Sequence, residues 1–167
     1  RHGQTVENLS RIFQGHLPGT LTEEGKKQAM ELGESLRDIA LDAVVSSDLQ
    51  RVVDTVQLAV GSRQLPWQQT TLLRETDWGP WTGLSVGSVD LSNPPAGVEP
   101  RQMMYDRAGT FLDYLWHHYD GKRVLVVAHG QINRCLEARI TGVSLEELRT
   151  VPLMKNAELH RYELARE

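Results

Sequence analysis

Apolar positions along the chain alternate between helical spacing and short β-branched runs. From Thr22 onward, Ala29, Leu32, Leu36 and Ile39 recur at three- and four-residue steps. Glu23 and Glu24 lie in the first turn, where the helix dipole favours carboxylates. This predicts a helix capped by Thr22 and running to about Ala40. The run Asp42 to Ser47 is short and β-branched, and reads as a buried strand. Asp48 then starts a second helix carrying Leu49, Val52, Val53, Val56 and Leu58 to Val60, ended by Gly61. After a loop with Pro66, Thr70 to Leu73 looks strand-like, and Trp78 to Gly83 is too irregular for either element. Val86 to Pro100 reads as loop, with Pro94, Pro95 and Gly97 as breakers. Pro100 suits the first position of a helix reaching about Tyr119. Arg123 to Ala128 is the clearest strand, followed by a helix from Gly130 to Ile140 that Gly142 stops. Ser144 can cap a short helix, and Glu158 to Leu164 alternates like a final strand.

Strands alternating with amphipathic helices predict an α/β fold: a single three-layer α/β/α domain over residues 1–167 with a mostly parallel central sheet. In such sheets ligands bind beyond the carboxyl ends of the strands. Ser46-Ser47-Asp48 with Arg51 follows one predicted strand, Glu75 another and His129 a third. Arg1-His2 stands where a further strand would end, so a short apolar strand is expected upstream of Arg1.

Composition narrows the function classes. A chain of 167 residues with 40% hydrophobic content is large enough for one core. A net charge of -4 with mixed signs gives no general attraction to nucleic acid or anionic lipid, so any anion site must be local. No apolar run is long enough to span a membrane. The single cysteine, Cys135, cannot form an internal disulfide and fits a reducing, cytoplasmic setting; on its helix it reads as a packing residue. Neither nucleic acid nor membrane is an expected partner.

Two His-Gly pairs, His2-Gly3 and His129-Gly130, suggest two imidazoles meeting in one pocket. Arg1 beside His2 adds a planar cationic fork, and a neutral imidazole is a competent nucleophile toward phosphorus. Bland readings compete with each residue. Arg51 could pair with Asp48 or Asp54, and Asp77 competes with Glu75 as the acidic group. Trp78 and Trp81 read first as packing residues. His16, His117, His118 and His160 lack zinc-site spacing and read as ordinary histidines.

Five segments in order resemble the histidine phosphatase superfamily, which includes cofactor-dependent phosphoglycerate mutases and small phosphatases. They are Arg1-His2-Gly3-Gln4-Thr5 with Asn8; Leu21-Thr22 with Gly25; Val45 to Arg51; Leu73-Arg74-Glu75 with Gly79, Trp81 and Gly83; and Val126 to Gly130. The chain departs from the pattern at Val52, at Thr82 and in the stretch Gly97-Val98-Glu99-Pro100. It also lacks an acidic residue in the turn before Leu21-Thr22.

The resemblance implies a phosphoglycerate mutase-like fold and a phosphomonoesterase acting on a small phosphorylated metabolite. His2 would become phosphohistidine, Arg1, Arg51 and His129 would grip the phosphoryl oxygens, and Glu75 would be the proton donor. Asn8 would be an auxiliary contact and Gly130 would offer a backbone N–H. Gln14 and Gly15 are expected to shape the pocket mouth. Phosphoryl transfer spreads charge over three equatorial oxygens, so arginine and histidine donors can serve without a metal, and no cofactor is expected. Glu75 must carry a proton to act as an acid, which burial beside Trp78 and Trp81 would favour. A mutase is the alternative, although the stretch from Gly83 to Pro100 is too short for a closing insertion. A noncatalytic binding domain is the third reading. The charges Glu158, Arg161 and Glu163 would discourage open edge pairing, while a homodimer stays compatible with the sequence.

Overall fold

Three short parallel strands form the centre of the fold: β1 (Ala43–Ser47), β2 (Trp67–Thr70) and β3 (Val124–Val127), in the order β2-β1-β3. The structure, a computed structural model, describes residues 1–165. Its helices are α1 (Val6–Ser10), α2 (Glu23–Leu36), α3 (Gln50–Val60), α4 (Arg101–Tyr119) and α5 (Gly130–Thr141). Every residue of β1 is buried, because a strand lies on each side and helices lie on each face. Val44 with Leu125 and Val127 faces Leu32 and Leu36 of α2 and Val52, Val56 and Val60 of α3. Val45, one residue on, points the opposite way and joins Met104, Ala108 and Phe111 of α4 with Ile132 and Leu136 of α5. The fold is therefore the expected three-layer α/β/α arrangement. No helix among the described residues is long and apolar enough to cross a membrane.

The caps follow the sequence. Thr22 accepts from the N–H of Gly25 at 2.9 Å and starts α2, and Gly142, at φ 76°, ends α5 in the left-handed conformation. Gly25 has a second reason to be glycine, since a Cβ there would collide with the carbonyl of Gln4. The backbone after His2 thus lies directly against the start of α2.

Several boundaries differ from the sequence expectation. The first long helix stops at Leu36 instead of Ala40, where Ile39 bonds back to Leu36 in a tighter turn. The Arg63 guanidinium caps this end, donating to the carbonyls of Leu36 and Ile39. The second helix begins at Gln50, after Ser47 Oγ has taken the Leu49 N–H. The edge strand lies at Trp67–Thr70, earlier than the expected Thr70 to Leu73, because Thr70 Oγ1 captures the N–H of Leu72 and turns the chain into a 3-10 segment. Pro100 precedes α4 with extended backbone and is not its first helical residue. The short helix after Ser144 is 3-10.

The expected strand from Glu158 to Leu164 does not form. Among the described residues no strand pairs with it, and Leu159 and Leu164 remain exposed. Side chains hold this segment instead: His160 bridges Glu137 of α5 and Glu158, and Tyr162 donates to Glu137.

One ion pair fixes the loops that reach the site. Arg107 of α4 meets Glu99 at 3.0 Å, with side chains only 17% and 10% exposed, and donates to the carbonyls of Leu72 and Arg74. Glu99 in turn accepts from the N–H of Asp77 at 3.0 Å. The segment carrying Glu75 is thereby pinned on both sides. Replacing Arg107 by methionine leaves Glu99 and two carbonyls without their partner, and is expected to lower stability by about 3 kcal/mol in urea unfolding. A loss below about 1 kcal/mol would show that the strut is mechanically irrelevant.

Candidate active site

His2 and His129 meet at the carboxyl end of the sheet. Their ring centroids are 5.4 Å apart in an edge arrangement, and His2 is 2% and His129 0% exposed. His129 follows β3 directly, and the N–H of His2 bonds to the carbonyl of Ala128 at 3.1 Å. A second tether comes from α3, where Thr55 Oγ1 accepts the N–H of Gly3 at 3.1 Å. A third comes from the segment after Val151: Asn156 donates to the carbonyl of His2, and the N–H of Ala157 reaches the carbonyls of Arg1 and His2.

The tautomer of His2 follows from its partner. Nδ1 lies 2.6 Å from the carbonyl oxygen of Gly3, which can only accept, so Nδ1 carries the proton and Nε2 keeps its lone pair. Burial, then the charge of Arg51, push His2 well below the ordinary histidine range, and the same two causes act on His129. Both rings are neutral near pH 7.

This neutrality links stability to pH. Below pH 6.5 the unfolded chain binds protons that the folded rings refuse, so stability falls as pH drops from 6.5 toward the depressed folded values. Each imidazole contributes about 1.4 kcal/mol per pH unit within that window. Urea midpoints measured from pH 6.5 to pH 5 are expected to fall steeply, and His129→Gln should flatten the slope by roughly half of the two-histidine share. An unchanged slope in that variant would contradict the assignment.

Arg1 and Arg51 flank the rings. Arg1 donates through one terminal nitrogen to the carbonyl of Met154 at 2.6 Å. Arg51, 1% exposed, donates to the carbonyls of Leu17 at 2.5 Å and Gly15 at 2.9 Å. Burial lowers both guanidinium groups, Arg51 to about 10, while the charge of Glu75 opposes the shift at both. Arg51 does not make the bland ion pair: Asp48 is held by Arg74 in a two-bonded fork, and Asp54 accepts from Gln50.

Glu75 sits at the amino end of α5. Its carboxylate accepts from the N–H groups of Gln131 at 3.1 Å and Ile132 at 3.3 Å, and from its neighbour Thr76 at 3.1 Å. Trp78 and Trp81 form an aromatic cluster with Phe13, on which Trp81 stacks and against which Trp78 is tilted. Asp77 is exposed, and its carboxylate caps the Gly79 turn.

The remaining expected residues are placed as follows. Gly130 opens α5 with the Arg1 guanidinium 3.4 Å from where its Cβ would stand. Asn8 forms a capping box with Thr5 and its Oδ1 accepts from Asn156, one step from His2. Gln14 is buried and accepts from Thr5, while Gly15, at φ 52°, supplies its carbonyl to Arg51. Sequence reading did not find Thr55, Met154 or Asn156. Each acts through polar contacts across the fold and lies outside every recognisable motif.

Among the described residues four buried side-chain nitrogens lack a hydrogen-bond partner: Arg1 Nε, Arg51 Nε, His129 Nδ1 and Arg134 Nε. Three of the four belong to the group around His2. Unsatisfied buried donors are rare, and a cluster of them marks a place built for an acceptor.

Fold and site together define an α/β/α domain whose strand exits enclose a buried histidine pair between two arginines. The family model for the histidine phosphatase superfamily, branch 1, matches residues 1–167, and the chain belongs to that superfamily. It is 30% identical over 162 residues to the adenosylcobalamin/alpha-ribazole phosphatase of Escherichia coli (strain K12), covering 89% of this chain and 80% of that protein. It is 32% identical over 156 residues to phosphoglycerate mutase-like protein 4 of Arabidopsis thaliana, covering 83% and 68%. Among solved structures, mycobacterial glucosyl-3-phosphoglycerate phosphatase in complex with VO3 superposes with a TM-score of 0.85 at 30% identity, covering 94% of this chain and 87% of that one. Its relatives thus include both phosphatases and mutase-like proteins.

Proposed function

We propose that this domain hydrolyses phosphate monoesters of small metabolites through a phosphohistidine on His2, without a metal. The observation that carries the reading is the cluster of unpartnered buried nitrogens of Arg1, Arg51 and His129 around a histidine whose Nε2 is free. An oxyanion with three oxygens matches that donor set in charge and number.

Nε2 of His2 attacks phosphorus as the bond from phosphorus to the leaving oxygen breaks, and Glu75 gives that oxygen its proton. The Nδ1–H bond to Gly3 supports the charge that develops on the ring. Water then attacks phosphorus, Glu75 takes its proton, and the bond from phosphorus to Nε2 breaks to free inorganic phosphate. Arg1 and Arg51 hold the equatorial oxygens through both steps.

The alpha-ribazole and glucosyl-3-phosphoglycerate names of the relatives support a small metabolite ester as substrate. Release of inorganic phosphate from a panel of phosphate monoesters, measured in excess chelator, tests the proposal. Steady turnover supports it. Failure to release phosphate, with phosphoglycerate isomers interconverting when bisphosphoglycerate is added, would replace it with the mutase reading.

A further inference from the structure

The second imidazole needs a defined tautomer to do its work, and the structure holds the device that sets it. His129 Nε2 lies 2.8 Å from Ser47 Oγ, and both residues are fully buried. Ser47 Oγ already accepts the N–H of Leu49 at 3.2 Å, which occupies one of its lone pairs. Its hydroxyl proton needs an acceptor, and the His129 nitrogen is the acceptor in place. At the other end of the ring, Nδ1 is buried without a partner, edge-on to His2. A neutral ring that accepts at Nε2 carries its proton on Nδ1, and an oxyanion needs a donor there.

We propose that Ser47 is a positioning residue: its hydroxyl donates to His129 Nε2 and so fixes His129 as an Nδ1–H donor to the phosphoryl group. The inference rests on the phosphatase reading for its purpose, but the tautomer itself is a property of the free protein. The alternative hydrogen-bond direction, from Nε2–H to Ser47, would leave a lone pair at Nδ1 facing the incoming oxygens and repelling them. The adjacent serine plays a different part. Ser46 Oγ accepts from the Trp67 indole at 2.8 Å and donates to the Ser47 carbonyl, which fixes the strand end and not the ring.

The test is nitrogen NMR of the folded chain labelled with 15N-histidine, with the His129 signals assigned by their loss in His129→Gln. The expected spectrum shows a protonated Nδ1 and a bare Nε2 on His129. A protonated Nε2 in the unmodified chain overturns the proposal, whatever the enzyme activity. In Ser47→Ala the Nδ1–H preference is expected to disappear, and kcat to fall about 10- to 100-fold with a smaller change in KM. Ser47→Thr keeps the hydroxyl, and is expected to retain the tautomer and return kcat to within severalfold. Equal losses in the Ala and Thr variants with the tautomer unchanged in both would show that Ser47 only packs. If the unmodified chain shows the expected tautomer yet hydrolyses no ester, the phosphatase reading fails and the hydrogen-bond assignment stands.

Discussion

Replacing His2 by alanine is expected to lower kcat for any phosphate monoester by at least about 10⁴-fold, while the protein stays folded. The magnitude follows from the role: a covalent nucleophile has no substitute, and what survives its removal is binding and charge stabilisation alone. The fold should tolerate the change. His2 is anchored mainly through its backbone, by the contacts with Ala128, Asn156 and Ala157. Only the ring contacts to Gly3 and His129 are lost. Rapid quench with a phosphorus-labelled ester is the sharper readout. The unmodified chain should trap an acid-labile, alkali-stable phosphoryl group, and the variant should trap none. Residual turnover within 100-fold of the parent would mean that another group attacks phosphorus.

The same site shows what a sequence can and cannot reveal. His2 and His129 stood out because each heads a His-Gly pair, and His129 follows a run of apolar residues long enough to be a strand. Arg51 was visible through its distance from the strand exit at Ser47. Elements with a strong period, α3, α5, β1 and β3, fell close to where the pattern put them. The edge strand did not, because Gln68 and Gln69 face solvent and leave no alternation to read. The segment after Glu158 erred in the opposite sense, offering alternation where no strand of the described residues pairs with it. Periodicity reports burial, and burial is ambiguous when the partner is unknown.

Polar positioning was less legible still. Thr55 serves Gly3 from 52 residues away, and Ser47 serves His129 from 82. Neither distance has a local signature. Trp78 and Trp81, close to Glu75 in sequence, gather their rings around Phe13, a partner more than 60 residues earlier that the sequence does not announce. What surrounds the Glu75 carboxylate is the amino end of α5, an element 55 residues later in the chain.

That placement leads to the second large effect. In Glu75→Gln, kcat is expected to fall about 10²- to 10⁴-fold for alkyl phosphates, whose leaving oxygens need a proton, and far less for a nitrophenyl ester, whose leaving group departs as a stable anion. The structure makes glutamine the informative replacement. Its side-chain oxygen can still accept from the N–H groups of Gln131 and Ile132, so the cap on α5 survives while the exchangeable proton does not. Glu75→Ala removes both functions and should also cost about 1 to 3 kcal/mol in stability, from backbone donors left without an acceptor. The comparison separates chemistry from scaffolding. A slope of log kcat against leaving-group pKa that steepens in Glu75→Gln identifies Glu75 as the acid. An unchanged slope with a uniform loss would assign Glu75 to holding α5, and with it His129, and would require another proton donor. Asp77 is a poor candidate for that part, because its carboxylate is committed to the Gly79 turn on the exposed side of the loop.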